Sequence, residues 1–215
     1  MLPSVVACFC AVDDCRLYLE LLNSACRIHD CCLHAYVLMT NHIHLLITPS
    51  AQEGVSRVMQ DSSRDFVRTI NRSCRRTGTL REGLFKSSLV DTRSYCLTSY
   101  RYIELNPVRA RMVRDPGDYP WSSYQYNALG KPDTGITPHD CWLLPGEDDT
   151  ARRAAYRALF RNTLNQWDIE RIRHSLNTGL PTGNDRFRRE IENVLSIKLG
   201  QGKRGRPRKN KEYRI

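Results

Sequence analysis

No stretch of the 215 residues approaches the ~20 consecutive apolar residues that a membrane helix needs, so a helical spanning segment is excluded. The opening residues MLPSVVACFCAVDD lack a basic run ahead of the apolar one and soon meet two aspartates, which argues against a secretory signal. Cys-x-x-Cys is missing although the chain has nine cysteines, an odd number. With no signal peptide, these thiols are expected to be reduced rather than to form a disulfide framework, and the protein is expected in the cytoplasm. No internal repeat is visible. Acidic residues are scarce beside basic ones, 23 against 33, giving a net charge of +10 and a pI near 9.3. That balance points to a polyanionic partner, most simply nucleic acid. Apolar residues at 40% and charged residues at 26% are enough for a packed core and exclude wholesale disorder.

The positive charge is concentrated at the end. Residues 200–215 hold seven basic residues against Glu212 alone, a net +6 of the chain's +10. With almost nothing to bury, this segment is expected to be disordered when free. Its centre, Arg204-Gly205-Arg206-Pro207-Arg208-Lys209, resembles an AT-hook. A narrow minor groove concentrates negative potential and admits slim, extended backbone bearing arginines. The plainer alternative is a solvated basic tail.

Periodicity predicts a helix over Asp13–Ile28, with Leu17, Leu21, Leu22, Ala25 and Ile28 as its apolar stripe. Two short apolar runs, Leu33–Met39 and Ile43–Thr48, flank a Thr40-Asn41 turn and read as an antiparallel hairpin. A longer helix is predicted over Gly54–Arg75, a strand over Leu84–Asp91, and a helix over Ser94–Leu105 that Pro107 must end. After a loop-rich stretch from Asp115 to Gly146, helices are expected over Thr150–Leu164, Asp168–Leu176 and Asn184–Leu199. The order α-β-β-α-β-α followed by helices implies an α+β domain over residues 1–130, a helical region over 148–199 and a basic tail over 200–215.

His42-Ile43-His44 opens the second predicted strand. Residues i and i+2 of a strand share a face, so both imidazoles project together, as two nitrogen ligands to one divalent cation would. Alone, the pattern equally suits two ordinary histidines near a turn. Tyr102 and Asn106 lie four apart at the end of a predicted helix, hence on one face. A phenol ionises only near pH ~10, so a tyrosine nucleophile needs its target polarised. Tyr100 and Glu104 have the same spacing on a different face, and only one pair can face the histidines.

Three separated motifs in order carry a resemblance: Ala35 through Leu46 (AYVLMTNHIHLL), Tyr102 through Ala110 (YIELNPVRA) and Pro120 through Tyr124 (PWSSY). Together they resemble the HUH single-tyrosine transposases, and more closely the REP-associated tyrosine transposase branch. The resemblance implies a ferredoxin-like α+β domain, an antiparallel sheet with helices on one face. It implies Mg²⁺ or Mn²⁺ held by His42 and His44 with Asn106 as a third polar residue, and Tyr102 as the nucleophile on a phosphodiester of single-stranded or hairpin DNA built from palindromic repeats. A 5′-phosphotyrosine and a free 3′-hydroxyl follow, in a monomer or a homodimer working on the nucleoid.

The same resemblance leads one to expect a further strand and an Arg-Gly-Asn turn ahead of Ala7-Cys8-Phe9, where this sequence has only Met1 to Val6, and a tryptophan in place of Arg81. A misassigned start, a truncated gene, or Val5 to Cys10 standing in for the strand would account for the first departure. The alternative function is then a truncated, non-cutting DNA-binding remnant or regulator. Cys26, His29, Cys31, Cys32 and His34 cluster in sequence, but adjacent Cys31-Cys32 would point to opposite faces and make a poor zinc site. Arg186, Arg188 and Arg189 on the last predicted helix follow a turn-rich break at Asn177–Gly183. They are candidates for DNA contact in a helix-turn-helix, or simply a solvated face.

Overall fold

The computed structural model describes residues 9, 11–73, 75, 77, 85–92 and 94–200. The fold is α+β. Helix α1 (Val12–Ile28) leads into a hairpin of β1 (Cys31–Leu38) and β2 (Ile43–Pro49), followed by α2 (Gly54–Ser73), α3 (Cys96–Glu104) and the single turn α4 (Asn106–Arg109). A 3₁₀ turn (Pro116–Asp118), α5 (Tyr124–Asn127) and α6 (Asp140–Leu143) precede α7 (Asp149–Leu159), α8 (Gln166–Thr178) and α9 (Asp185–Leu195).

The hairpin closes where the turn residues predict. The Met39 amide donates to the His42 carbonyl at 2.8 Å across Thr40-Asn41. Val37 pairs with His44 and Leu38 with Ile43, and a bulge falls between Leu33 and Ala35. Among the described residues β2 pairs with β1 alone.

The alternation of side chains then sorts the hairpin into two cores. Leu33, Tyr36 and Leu38, with Ile43, Leu45 and Ile47, face α1 and α2. Ala35 and Val37, with Leu46, face α3. Helices therefore cover both faces of the hairpin, not one as the resemblance implies. Both faces of β1 are apolar, and each needs a cover.

On the first face Tyr18 is fully buried, its ring 5.3 Å from Phe66, and Phe9 completes an aromatic trio. Gly54 lets α2 start against the hairpin. A Cβ there would meet Cys31 Sγ at 2.9 Å and Pro49 Cβ at 3.0 Å. The buried face of α1 is Cys15, Tyr18, Leu22, Ala25 and Cys26, and Ile28 is 67% exposed. The predicted stripe was thus rotated towards the large aliphatics and missed the tyrosine.

The strand predicted over Leu84–Asp91 is not formed between residues 85 and 91. Val90 makes only an isolated bridge to Thr182, closed by the Asp91 amide to the Thr182 carbonyl at 2.8 Å and the Thr182 amide to the Leu89 carbonyl at 2.7 Å. Leu89 is 54% exposed, so the segment has no second apolar face to hold it in a sheet.

The second face carries a core to which both parts of the chain contribute. Tyr156 of α7, Leu164, and Ile169 and Ile172 of α8 pack with Ala35, Val37, Tyr102 and Ile103. A buried polar network joins α3 to α7. Glu104, with no exposed surface, accepts from the Ser123 hydroxyl at 2.6 Å, the Asn127 amide at 2.8 Å and the Tyr156 hydroxyl at 2.7 Å. No helix among the described residues is long and apolar enough to cross a membrane.

Candidate active site

Because Ile43 and Leu45 turn towards α2, His42 and His44 turn towards α3. Their rings lie 4.9 Å apart, edge to face. The His42 Nδ1 and the Asn41 Oδ1 are 2.6 Å apart, so a protonated Nδ1 donates to Asn41 and leaves Nε2 with a free lone pair. Burial drives the His44 pKa down to about 3, and the neighbouring charges of His42, Arg109 and Arg173 act in the same direction. Burial also lowers the His42 pKa. Both imidazoles are therefore neutral near pH 7, the form that binds a metal.

Tyr102 reaches this pair from α3. Its ring stands 5.5 Å from that of His44, edge to face, and the residue is 5% exposed. Arg109 of α4 covers the same ring: its guanidinium carbon is 4.4 Å from the Tyr102 ring centre, and its Nη2 donates to the Tyr102 carbonyl at 2.8 Å. The geometry exists because the helix breaks. Pro107 has no amide hydrogen to continue α3, so the chain turns at Leu105 and restarts as α4, which folds Arg109 back over the tyrosine. Asn106 is the first residue of α4 and half-buried.

The rival pair points elsewhere. Tyr100 is fully buried, 5.9 Å from the Tyr156 ring, and Glu104 is the centre of the network with Ser123, Asn127 and Tyr156. The tyrosine beside the histidines is Tyr102.

The cysteine cluster read from sequence does not assemble. His29 Nε2 pairs with Asp61 at 2.7 Å, and both His34 nitrogens are engaged, with the Thr137 carbonyl and the Thr48 hydroxyl. A different trio, Cys96, His139 and Cys141, brings its ligand atoms within 4.8 Å of one another. The His139 Nδ1 there accepts the Cys141 amide at 3.1 Å as the N-cap of α6, which occupies the lone pair a metal would need.

Of the basic residues singled out for DNA, Arg186 on α9 pairs with Glu190 at 2.9 Å, Arg189 is exposed and Arg188 is half-buried. Arg204, Arg206, Arg208 and Lys209 lie outside the described residues. Two arginines that the sequence reading did not single out do belong to the site. Arg109 stacks on Tyr102, and Arg173 of α8 lines a cavity of about 370 Å³ together with Arg109. Arg109 stands inside the YIELNPVRA motif and could have been found there. Arg173 is one arginine among many, and only the packing of α8 on α3 brings it near.

A solved structure of a REP-associated tyrosine transposase bound to a REP hairpin is similar to 60% of this chain, over 82% of its own length, at 14% identity and a TM-score of 0.46. Among curated proteins, no sequence matches. Residues 12–110, the span that holds both histidines, the tyrosine and Arg109, match the model of the family described as "Transposase IS200 like". Over those residues, a little under half of its length, this chain is similar to the IS200-like transposases.

Proposed function

We propose that this protein cuts and rejoins single-stranded DNA folded as a hairpin, with Tyr102 as the nucleophile. The observation that carries the reading is the approach of the Tyr102 ring to within 5.5 Å of His44, beside His42, with the Arg109 guanidinium 4.4 Å from the same ring. In the reaction so read, the Tyr102 hydroxyl oxygen bonds to the scissile phosphorus and the bond from phosphorus to the 3′ oxygen breaks. The phenolic proton passes to solvent, and the departing 3′ oxygen takes up a proton. A 5′-phosphotyrosine and a 3′-hydroxyl result. The covalent link conserves the phosphodiester bond, so reversal on a second 3′-hydroxyl joins strands without a nucleoside triphosphate.

The donor set can hold a divalent cation: two neutral imidazoles on one face, one exposed and one half-buried. His42 and His44 would hold Mg²⁺ or Mn²⁺, with Asn106 as a third polar residue. When bound, such an ion polarises the scissile phosphate and neutralises the charge that builds on it. The chain's own residues do the rest. Burial keeps His44 unprotonated. Arg109 clamps the Tyr102 ring and its carbonyl, and so fixes the direction of the hydroxyl. Arg186, Arg188 and Arg189, with Arg204, Arg206, Arg208 and Lys209, supply phosphate contacts along the strand. The hairpin substrate and the REP-associated branch rest on the AYVLMTNHIHLL and YIELNPVRA motifs.

The test is covalent trapping. End-labelled hairpin DNA is incubated with the protein and Mg²⁺ or Mn²⁺ and run on a denaturing gel beside Tyr102→Phe and His44→Ala. A labelled protein–DNA adduct that disappears in both variants supports the reading. Salt-sensitive binding without an adduct, in the presence of either ion, would overturn it in favour of a non-cutting DNA-binding protein.

A further inference from the structure

We propose that the cavity between α4 and α8 binds a second phosphodiester of the same DNA strand, next to the one Tyr102 attacks, and that Arg173 is the residue that recognises it. The proposal rests on the reading of Tyr102 as nucleophile and deepens it. It makes the helical region that follows Asp148 part of the active site, where the sequence suggests DNA contact only at Arg186, Arg188 and Arg189.

The cavity holds about 370 Å³, within the ~300–1,000 Å³ range of small-ligand sites. Its walls are apolar at Leu105, Val108, Leu164 and Ile169, and two guanidinium groups, Arg109 and Arg173, share it. Two like charges in a partly apolar cleft repel each other. Among the described residues neither forms an ion pair with a carboxylate. Arg109 is further short of acceptors: its Nε and Nη1 are buried without a hydrogen-bond partner, and only its Nη2 is engaged. A buried donor on a cation left in that state is costly, and a single anion in the cleft relieves the repulsion between the two guanidinium groups. The planar fork of arginine suits two oxygens of one phosphate.

The position of the cavity fixes which anion. Arg109 forms one wall and at the same time covers the Tyr102 ring at 4.4 Å. The Arg173 charge reaches both Arg109 and His44. A phosphate here is therefore adjacent to the reacting face, as the neighbouring linkage of a bound strand would be. Arg173 is held in place by its helix. Ile169, one turn earlier on the same face, lines the cavity too, and Ile172 anchors α8 in the core shared with Tyr102. Because Arg173 itself is exposed, its replacement should leave the fold intact.

The experiment is a scan of neutral linkages. In the full-length Tyr102→Phe protein, hairpin DNA is bound with a methylphosphonate replacing one phosphate at a time on either side of the cut point, and the same series is repeated with Arg173→Gln and Arg173→Lys added. At one flanking linkage, neutralisation should weaken binding about tenfold in the parent and leave the Arg173→Gln protein unaffected, with Arg173→Lys in between. Equal losses in the parent and in Arg173→Gln at every linkage would overturn the proposal while the parent's binding and the wild-type adduct left the nuclease reading standing. A wild type that forms no adduct overturns that reading, and this proposal with it.

Discussion

Glu104 is a carboxyl group with no exposed surface, held by three donors, two from α5 and its N-cap and one from α7. Burial raises its pKa from 4.5 to about 7 against the opposing pull of Ser123, Asn127 and Tyr156. The folded state then keeps a proton that the unfolded chain has lost, so this residue favours folding fully below pH ~4.5, and its contribution fades as pH rises to about 7. In Glu104→Gln nothing titrates. The unfolding free energy of the wild type, measured against that variant in denaturant, should fall by about 3 kcal/mol across that window. A difference that stays flat with pH would contradict the burial assigned to Glu104. The residue also shows what spacing can and cannot say. Tyr102 with Asn106 and Tyr100 with Glu104 are equivalent in sequence, since both run four apart on one helix. What separates them is the three donors near Glu104, two from α5 and its N-cap and one from α7, and no local pattern announces these.

At the scale of elements, α1 tests the packing most sharply. A stripe of Leu17, Leu21, Leu22, Ala25 and Ile28 is what apolar periodicity suggests, yet Ile28 is 67% exposed while Tyr18 and Leu22 are fully buried. Leu22→Ala should therefore cost about 2–5 kcal/mol, and Ile28→Ala less than about 0.5 kcal/mol, in chemical denaturation. Comparable losses at the two positions would mean that α1 sits on the hairpin with the face the periodicity suggests. The hairpin itself was legible, because two short apolar runs of strand length flank a short polar turn. The break between α3 and α4 was legible for the same kind of reason: Pro107 forbids continuation. The segment at residues 85–91 was not. Its β-like residues find a single bridge at Thr182, 92 positions after Val90, and a pairing that distant leaves no local mark.

For the whole molecule, charge and shape divide the work. Tyr156, Leu164, Ile169 and Ile172 enter one core with Tyr102, so the helices after Asp148 are structurally continuous with the hairpin and its histidines. The sequence separates these regions because a loop-rich stretch intervenes, and the packing joins them because α3 presents apolar residues to α8 as well as to β1. The excess positive charge lies mostly beyond that core, with a net +6 in residues 200–215. Removing residues 201–215 should weaken single-stranded DNA binding and flatten its dependence on salt, by up to about 4 in the log–log slope if six phosphates are released. An unchanged slope would place the polyanion contacts on residues before 201 instead, with Arg186, Arg188 and Arg189 the first residues to examine. The proposed chemistry is independent of that outcome, since the proposal rests on His42, His44 and Tyr102 meeting on one face of the hairpin.

That meeting is tested most directly by locating the covalent bond. The wild-type protein is incubated with hairpin DNA and Mg²⁺ or Mn²⁺, digested with nuclease and protease, and the peptides are sequenced by mass spectrometry for a nucleotide-bearing residue. A single modified tyrosine, Tyr102, joined through a 5′-phosphate, is expected. A nucleotide on Tyr100, or on any residue outside the face shared with His42 and His44, would contradict it.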